Sequence, residues 1–225
     1  MKVGVVTFPG TLDSAATTRA VELAGGQPVT LWHEDSDLHG VDAVILPGGA
    51  TYGDYVRPGG LAALSPIMTA IAAAAKQGLP VLGIGNGFQI LCEAGILPGG
   101  FVRNEDGRYI CRDESFKVNA DSAGTSKYEQ GEAVTRPLRT ATALYVASDE
   151  ALEELEEKNL VVLRFANNPT GSAADIAGIR NEAGNVVGVI ASPENAVEAG
   201  FGPETASGPA TGTDGLRIFT SVIAK

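Results

Sequence analysis

The sequence predicts an α/β fold with a mostly parallel central sheet and an antiparallel extension. In the first 95 residues, short apolar segments alternate with helix-forming segments, which is typical of a parallel sheet covered by helices on both faces. Beyond residue 95, strand-like segments follow one another without long helices between them, which favours antiparallel pairing. The chain has 225 residues, of which 44% are hydrophobic, so it can form a sizeable core. We expect a single domain covering residues 1–225.

Strands and helices alternate in the first half of the chain. Residues 2–8 form a run rich in β-branched side chains, and Pro9 and Gly10 end it. Asp13 or Ser14 can cap the helix that follows, which two glycines end after residue 24. The other elements predicted here are strands 28–32, 43–46 and 81–84, a helix over 66–77 with Ser65 as its N-cap and Pro66 in its first turn, and a helix after Gly85.

The second half is predicted to be richer in strands. Ser148 can cap an acidic helix over residues 149–159. A loop that contains Gly184 and Asn185 joins two apolar runs, as in a hairpin. Residues 200–213, rich in Gly, Pro, Ser and Thr, predict a mobile loop before a last helix over 214–223. The predicted strands are 100–104, 109–119, 143–147, 160–165, 176–180 and 186–190.

Charge and composition exclude several classes of partner. The net charge of -11 repels the phosphates of nucleic acid and anionic lipid. The longest apolar run, residues 67–75, is too short to span a membrane, and the first residues do not resemble a secretory signal. Cys92 and Cys111, with His33 and His39 far upstream, match no zinc-binding spacing. We therefore expect a cytoplasmic protein with free thiols and neither a metal ion nor a cofactor.

The segment around Gly85 is the most informative one for function. A strand turns sharply into a helix, and Gly83 and Gly87 flank the turn as in a nucleophile elbow, where the middle side chain is exposed at a helix amino terminus. The middle residue here is Gly85, which has no side chain to attack a carbonyl. A dinucleotide-binding fingerprint would need glycine where Phe88 stands. A plain tight turn that needs glycine for its geometry is the other alternative.

The chain resembles the glutaminase subunit of phosphoribosylformylglycinamidine synthase, the PurQ-type class I glutamine amidotransferases, over essentially its whole length. The resemblance implies a flavodoxin-like α/β sandwich that hydrolyses glutamine with a Cys-His-Glu triad. It also implies that ammonia passes to a larger ATP-dependent synthase subunit, with a small accessory subunit as a further partner. The segments that carry the resemblance are Phe8-Pro9-Gly10, Trp32-His33, Leu46-Pro47-Gly48-Gly49, Tyr52-Gly53-Asp54-Tyr55, Ser65-Pro66-Ile67-Met68, Asn86-Gly87-Phe88-Gln89-Ile90-Leu91, Glu93-Ala94-Gly95, Ile110-Cys111-Arg112, Asn168-Pro169, Gly171-Ser172, Ile176-Ala177-Gly178-Ile179 and Asp214-Gly215-Leu216.

The sequence departs from the family pattern at the triad. Gly85 stands where the family has its cysteine, Ser192 stands where it has its histidine, and Glu194 is retained. The family's His-Gly-Glu-Gly segment near the glutamine pocket is also replaced, over residues 137–143, and Asn195 stands where an arginine usually follows the glutamate. These distributed changes favour a protein that no longer holds glutamine over an inactivated copy of a working enzyme.

No other residue is expected to take over the missing roles. His33 and His39 lie near the end of the second strand, so neither matches the missing base. Cys92 lies about two helical turns beyond Gly85 and is expected to be a buried apolar thiol. Cys111 matches a cysteine that the family carries outside its triad, so we interpret it as structural.

The resemblance also suggests residues that line the pocket or contact a partner. Gly48 and Gly49 correspond to a turn whose backbone N–H groups help to form the family's oxyanion hole. We favour a plain glycine turn after a strand, because backbone donors are useful only if an oxyanion still forms. The candidate pocket residues are Gly48, Gly49, Asn86, Gly87, Phe88 and Gln89. The candidate partner contacts are Tyr52, Asp54, Arg57, Arg103, Asn104, Arg108 and Arg112.

Three functions remain open at this point. The leading hypothesis is a relative of the amidotransferase subunit that lacks glutaminase activity and serves a synthase complex as a structural or regulatory subunit. An alternative is an enzyme of a specialised nitrogen-metabolite pathway with altered chemistry in the former glutamine pocket, where Ser192 and Glu194 would have to act. A third is a glutaminase with a different nucleophile.

Overall fold

The computed structural model describes residues 1–119, 122–200, 204–205, 208–209 and 212–223. Its central feature is a nine-stranded sheet formed by described residues. The strands of this sheet are β1 (Lys2–Thr7), β2 (Gln27–Trp32), β3 (Ala43–Leu46), β4 (Val81–Ile84), β6 (Ile110–Val118), β7 (Ala133–Thr140), β9 (Val161–Phe165), β10 (Ile176–Arg180) and β11 (Val186–Val189). Two smaller sheets pair β5 (Gly100–Val102) with β8 (Leu144–Val146), and β12 (Glu204–Thr205) with β13 (Gly208–Pro209).

The strand order of the main sheet is β2-β1-β3-β4-β11-β10-β9-β6-β7. From β2 to β11 every neighbouring pair is parallel, and from β11 to β7 every neighbouring pair is antiparallel. The predicted parallel sheet with an antiparallel extension is therefore confirmed. Because β1, β3, β4 and β11 run in the same direction, their carboxyl ends meet at one edge of the sheet, where α/β folds commonly bind ligands.

Five α-helices lie among the described residues. They are α1 (Ser14–Leu23), α2 (Pro66–Lys76), α3 (Asn86–Glu93), α4 (Asp149–Glu157) and α5 (Leu216–Ile223). At the start of α4, the Ser148 hydroxyl accepts a hydrogen bond from the Ala151 N–H at 3.3 Å, as the sequence predicts. No helix in the described part of the chain combines the length and the hydrophobicity needed to cross a membrane.

Strand β7 is the one element of the main sheet that the sequence pattern does not predict. Pro137 lies within it and lacks the N–H group that a strand in the middle of a sheet would use, so the segment did not resemble a strand. The structure places β7 at the edge of the sheet, where it pairs only with β6. An edge strand tolerates proline, which explains the difference.

Cys111 is exposed on β6 and does not pack in the core, so it has no structural role of the kind expected for it. Its side chain lies on the solvent side because the strand alternates inward and outward residues. The loop predicted over residues 200–213 lies largely outside the described residues, and its described part comprises β12, β13 and residues 200, 212 and 213.

Candidate functional site

A cavity of about 190 Å³ lies at the edge where the four parallel strands end. Loops after β1, β3, β4 and β11 contribute to its wall, as does the end of β7. The residues singled out by the sequence that line it are Gly48, Gly49, Asp54, Gly85, Asn86, Gln89 and Ser192. The lining residues that were not singled out are Leu12, Asp13, Ala50, Tyr109, Arg139, Thr140, Ala141, Thr142 and Ile190.

Gly85 forms the sharp turn between β4 and α3. Its φ of 54° and ψ of -111° are rarely adopted by residues other than glycine. The turn is held on both sides, because the Gly85 N–H donates to Val189 O at 2.8 Å and its carbonyl accepts from the Phe88 N–H at 3.1 Å. A Cβ atom added here would lie 3.7 Å from Gly48 Cα and 3.9 Å from Ile190 O, which is ordinary contact. The elbow thus has its sharp shape and room for a side chain.

Two predicted pocket residues do not line the cavity. Gly87 lies against β3, where an added Cβ would come within 2.0 Å of Leu46 O. Phe88 is fully buried and packs against Phe101, with a ring-centroid distance of 4.8 Å. Both are core positions because α3 turns their face toward the sheet. The glycine at 87 therefore serves the close packing of a helix on a strand.

Ser192 and Glu194 follow the end of β11. The Ser192 N–H donates to Pro137 O at 2.8 Å, which ties this segment to the edge strand β7. The Glu194 side chain is fully buried in the turn Pro193–Asn195. Its Oε1 accepts a hydrogen bond from Asn195 Nδ2 at 2.9 Å, whereas its Oε2 has no hydrogen-bond partner among the described residues. Burial and the nearby Asp13 carboxylate raise the pKa of Glu194 to about 8.

Arg139 is the cationic side chain that joins these groups. Its Nη2 donates to Asp13 Oδ1 at 2.9 Å and lies 3.6 Å from Glu194 Oε1. The longer distance exceeds a hydrogen bond, so the attraction to Arg139 offsets only part of the burial effect on Glu194. In the sequence, Arg139 stands out only as part of the changed segment 137–143. Its partner Asp13 is 126 positions away, and no local pattern reveals such a contact.

A chain of hydrogen bonds forms another wall of the cavity. Asn86 Nδ2 donates to Gln89 Oε1 at 2.8 Å and to Asp54 Oδ1 at 3.3 Å. Gln89 Nε2 in turn donates to Thr142 O at 2.6 Å. Burial raises the pKa of Asp54, although the bond from Asn86 opposes the shift. These contacts connect the start of α3 with the Thr51–Asp54 turn and with the segment after β7.

The histidines and Cys92 lie away from the cavity lining. His33 is buried beside Trp32 and Tyr52, and its Nδ1 lies 3.1 Å from the Tyr52 hydroxyl. His39 lies near Asp35 and Asp37 in an exposed loop. Cys92 is buried at the far end of α3, and burial raises the pKa of its thiol, which agrees with an apolar packing role. Among the described residues, no group of three or more His, Cys, Asp or Glu could hold a metal ion.

The candidate partner contacts differ in their exposure to solvent. Arg103 and Arg108 are exposed, and Arg57 and Arg112 are exposed side chains that pair with Glu93 and Glu114. Tyr52 and Asp54 are partly buried in the turn beside the cavity. Asn104 is different, because its side chain is buried and bonds the carbonyls of Arg108 and Thr140. Asn104 therefore holds a loop in place and is not available to a partner.

The raised pKa of Glu194 makes the stability of the folded protein depend on pH. The folded protein keeps this carboxyl protonated up to about pH 8, whereas the unfolded chain releases the proton near its ordinary value of 4.5. Between these values the unfolded chain binds fewer protons, so the free energy of unfolding falls as the pH rises. The stabilisation is complete below pH 4.5 and is lost through pH 8. We expect a loss of roughly 3 kcal/mol between pH 5 and pH 8.

Urea unfolding of the wild type and of Glu194→Gln at both pH values checks this expectation. Glutamine is similar in size and cannot ionise, so the variant should lose less stability over the same interval. The other titratable groups are the same in both proteins, so their contributions to the pH dependence of the free energy of unfolding cancel in the comparison. An equal loss in the two proteins would show that Glu194 does not carry the pH dependence.

Comparisons with known proteins agree with this architecture. The family model of the CobB/CobQ-like glutamine amidotransferase domain matches residues 1–224. The phosphoribosylformylglycinamidine synthase subunit PurQ of Leifsonia xyli is 52% identical over 225 residues, which cover 99% of this chain and 97% of that protein. PurQ of Rhodococcus jostii is 52% identical over 224 residues, which cover 99% of this chain and 96% of that protein.

Solved structures show the same fold. A chain in the structure of PurLQS from Thermotoga maritima has a TM-score of 0.87 and 37% identity, with 99% of this chain and 97% of that chain covered. The glutaminase domain of Trypanosoma brucei CTPS with bound acivicin has a TM-score of 0.60 and 14% identity, with 100% and 94% covered, which shows the fold alone. The chain belongs to the CobB/CobQ-like glutamine amidotransferase family, and its relatives are PurQ subunits of phosphoribosylformylglycinamidine synthase.

Proposed function

We propose that this protein is a PurQ-type subunit that does not release ammonia from glutamine and serves a phosphoribosylformylglycinamidine synthase complex as a structural or regulatory subunit. The observation that carries the proposal is an elbow of the right shape with glycine at its centre. Gly85 keeps a nucleophile-elbow backbone conformation while providing no thiol, hydroxyl or carboxylate. A subunit that binds its partners without hydrolysing glutamine needs the scaffold but not the nucleophile. This chain combines an elbow of the right shape with the absence of a nucleophile at its centre.

The chemistry of glutamine hydrolysis explains why this matters. A thiolate attacks the amide carbon, an imidazole controls the protonation of the thiol and of the leaving ammonia, and a carboxylate orients the imidazole. The resemblance places these roles at Gly85, Ser192 and Glu194. Ser192 has a hydroxyl group with no imidazole beside it, because both histidines lie outside the cavity lining. Glu194 is protonated at neutral pH, so it is a poor base for that hydroxyl.

The similarity over nearly the whole chain supports a role in assembly. The chain matches PurQ relatives over nearly its whole length, and the structure from Thermotoga maritima contains PurQ in a PurLQS assembly. We propose a large ATP-dependent subunit and a small accessory subunit as partners. The candidate contacts are Tyr52, Asp54, Arg57, Arg103, Arg108 and Arg112.

A second candidate function is an enzyme with altered chemistry in the same cavity. A concave cavity at the elbow with several polar lining residues favours this alternative. Ser192 lines it and Glu194 lies next to it. A new product formed from a metabolite by the wild type and not by Ser192→Ala would support this candidate.

Reconstitution with a PurL-type and a PurS-type subunit tests the leading proposal. We expect this chain to co-elute with them at micromolar concentration, and the complex to make the amidine product with ammonium but not with glutamine. PurQ of Leifsonia xyli is a suitable control, because it is 52% identical to this chain. Failure to associate, or product formation from glutamine alone, would contradict the proposal.

A further inference from the structure

A second cavity lies at the opposite edge of the sheet from the elbow. Gly85 and Ser192 follow the carboxyl ends of β4 and β11, whereas Arg180, which lines the second cavity, pairs with Val187 near the start of β11. The volume of this cavity is about 480 Å³, against about 190 Å³ at the elbow. The end of α3 and the segment after it, helix α4, and the end of β10 form its walls. The two cavities share no lining residue, so they are separate sites.

The walls of this second cavity are mostly apolar. Leu97, Leu155 and Leu160 line it, and all three are buried in the core. Ile96 and Pro98 extend the apolar surface toward solvent. Sites that bind metabolite-sized molecules have volumes in this range and combine apolar walls with a few polar groups. The polar groups therefore decide which class of molecule fits.

The free hydrogen-bonding capacity in the cavity is mainly that of N–H donors. Arg180 Nη1 donates to Glu182 O and its Nη2 donates to Asn159 O, both at 3.4 Å, and its Nε makes no hydrogen bond to the described residues. Each terminal nitrogen of a guanidinium carries two hydrogens, so Arg180 keeps further N–H groups free. Asn181 also lines the cavity, and its Oδ1 already accepts from the Val186 N–H at 3.0 Å. A ligand that presents an acceptor suits these groups.

The charges around the cavity balance one another. Glu154 and Glu182 line it, and Lys158 Nζ donates to both carboxylates, at 2.6 and 2.5 Å. Together with Arg180, these side chains carry two positive and two negative charges. An anionic ligand would meet the repulsion of the two glutamates, and a cationic ligand would meet that of Arg180 and Lys158. A neutral molecule with an acceptor avoids both repulsions.

We infer that this cavity binds a neutral planar molecule that carries a carbonyl acceptor, such as an aromatic amide. The ring would lie against Leu97, Leu155 and Leu160, and the carbonyl oxygen would accept a hydrogen bond from Arg180. The inference goes beyond the proposed function, because the site lies away from the elbow and its ligand is independent of glutamine chemistry.

NMR titration of the full chain, labelled with nitrogen-15, tests the inference with benzamide, benzoate and benzylamine. These probes share one ring and differ in charge. We expect saturable binding of benzamide with a Kd of about 1 mM or lower, and at least fivefold weaker binding of the two charged probes. The amide signals of Gly95, Gly99 and Asn181 should shift, because these residues line the cavity. The amide signals of Gly85 and Asn86 at the elbow should not.

Substitutions in the lining locate the site further. Arg180→Met removes the donors and should weaken benzamide binding at least fivefold, while Arg180→Lys keeps a donor and should bind more tightly than Arg180→Met. Ala151→Phe adds a ring at a lining position on α4 and should weaken binding at least tenfold. Ala183→Phe adds the same ring at an exposed position outside the lining, so it should bind like the wild type.

Four outcomes would overturn the inference. They are the absence of saturation with benzamide, signal shifts centred on the elbow amides, a charged probe that binds as tightly as benzamide, and unchanged binding by both Arg180→Met and Ala151→Phe. Circular dichroism shows whether each variant is folded, and Ala151→Phe with the wild-type signal shifts carries the test if Arg180→Met is not. Ammonia release from glutamine would contradict the proposed function alone, because benzamide binding is measured without it.

Discussion

Replacing Gly85 with cysteine is expected to create a thiol that reacts with iodoacetamide roughly tenfold faster at pH 7 than the exposed Cys111. The added side chain has room, because the nearest atoms to its Cβ would be Gly48 Cα and Ile190 O at 3.7 and 3.9 Å. It would lie at the amino end of α3, where the helix dipole stabilises a thiolate. The positive φ should cost about 1–3 kcal/mol of stability, which a folded chain of this size tolerates.

Mass spectrometry of labelled peptides measures the three thiols in one sample. Cys111 is the internal standard for an exposed thiol, and Cys92 is the standard for a buried one. Cys92 should react slowly, because burial raises the pKa of its thiol. A Gly85→Cys thiol that reacts as slowly as Cys92 would show that the elbow does not present a side chain to the cavity.

The second large effect is expected at Gly87, where Gly87→Ala should destabilise the protein by roughly 3 kcal/mol or more. The new Cβ would lie 2.0 Å from Leu46 O, and this atom belongs to the backbone of a buried strand that cannot move easily. The clash with Leu46 O can be relieved only if α3 shifts away from β3, and this shift would also displace the elbow. Equilibrium urea unfolding at constant pH measures the change.

Gly100→Ala is the matched control for this substitution. Gly100 also lies in a regular element, and nothing is found within 4 Å of the position that its Cβ would occupy. We expect its free energy of unfolding to change by less than about 1 kcal/mol. Equal stability of the two variants would mean that α3 does not pack on β3 as closely as the structure shows.

Much of the fold is predictable from the sequence because its signals are local. The strand Ala43–Leu46 and the strand Val81–Ile84 are short apolar runs that glycine or proline residues bound, and both have the predicted limits. Strand β7 was missed for an equally local reason, because Pro137 interrupts its pattern. Only its place at the sheet edge makes that proline acceptable, and strand order is a property of the whole chain.

The site was predictable only in part. The turn at Gly85 follows from the glycine pattern after an apolar strand, whereas Ser192 follows only from the family resemblance. The parallel pairing of β4 with β11 brings the two to one edge. The contact of Arg139 with Asp13 joins distant segments, so its ionic partners emerge only from the fold. Phe88 was misplaced for a different reason. The rotation of α3 about its own axis after the sharp turn decides which side chains face the cavity. The glycine pattern of the elbow alone does not give that rotation.

The reconstituted complex is incubated with glutamine and then analysed by intact mass and by ammonia detection. We expect this polypeptide to keep its unmodified mass and ammonia to stay at the level of a protein-free control, with a complex containing PurQ of Leifsonia xyli measured beside it for comparison. A glutamyl adduct on this chain, together with ammonia released in proportion to it, would contradict the claim that Gly85 leaves the elbow without a nucleophile.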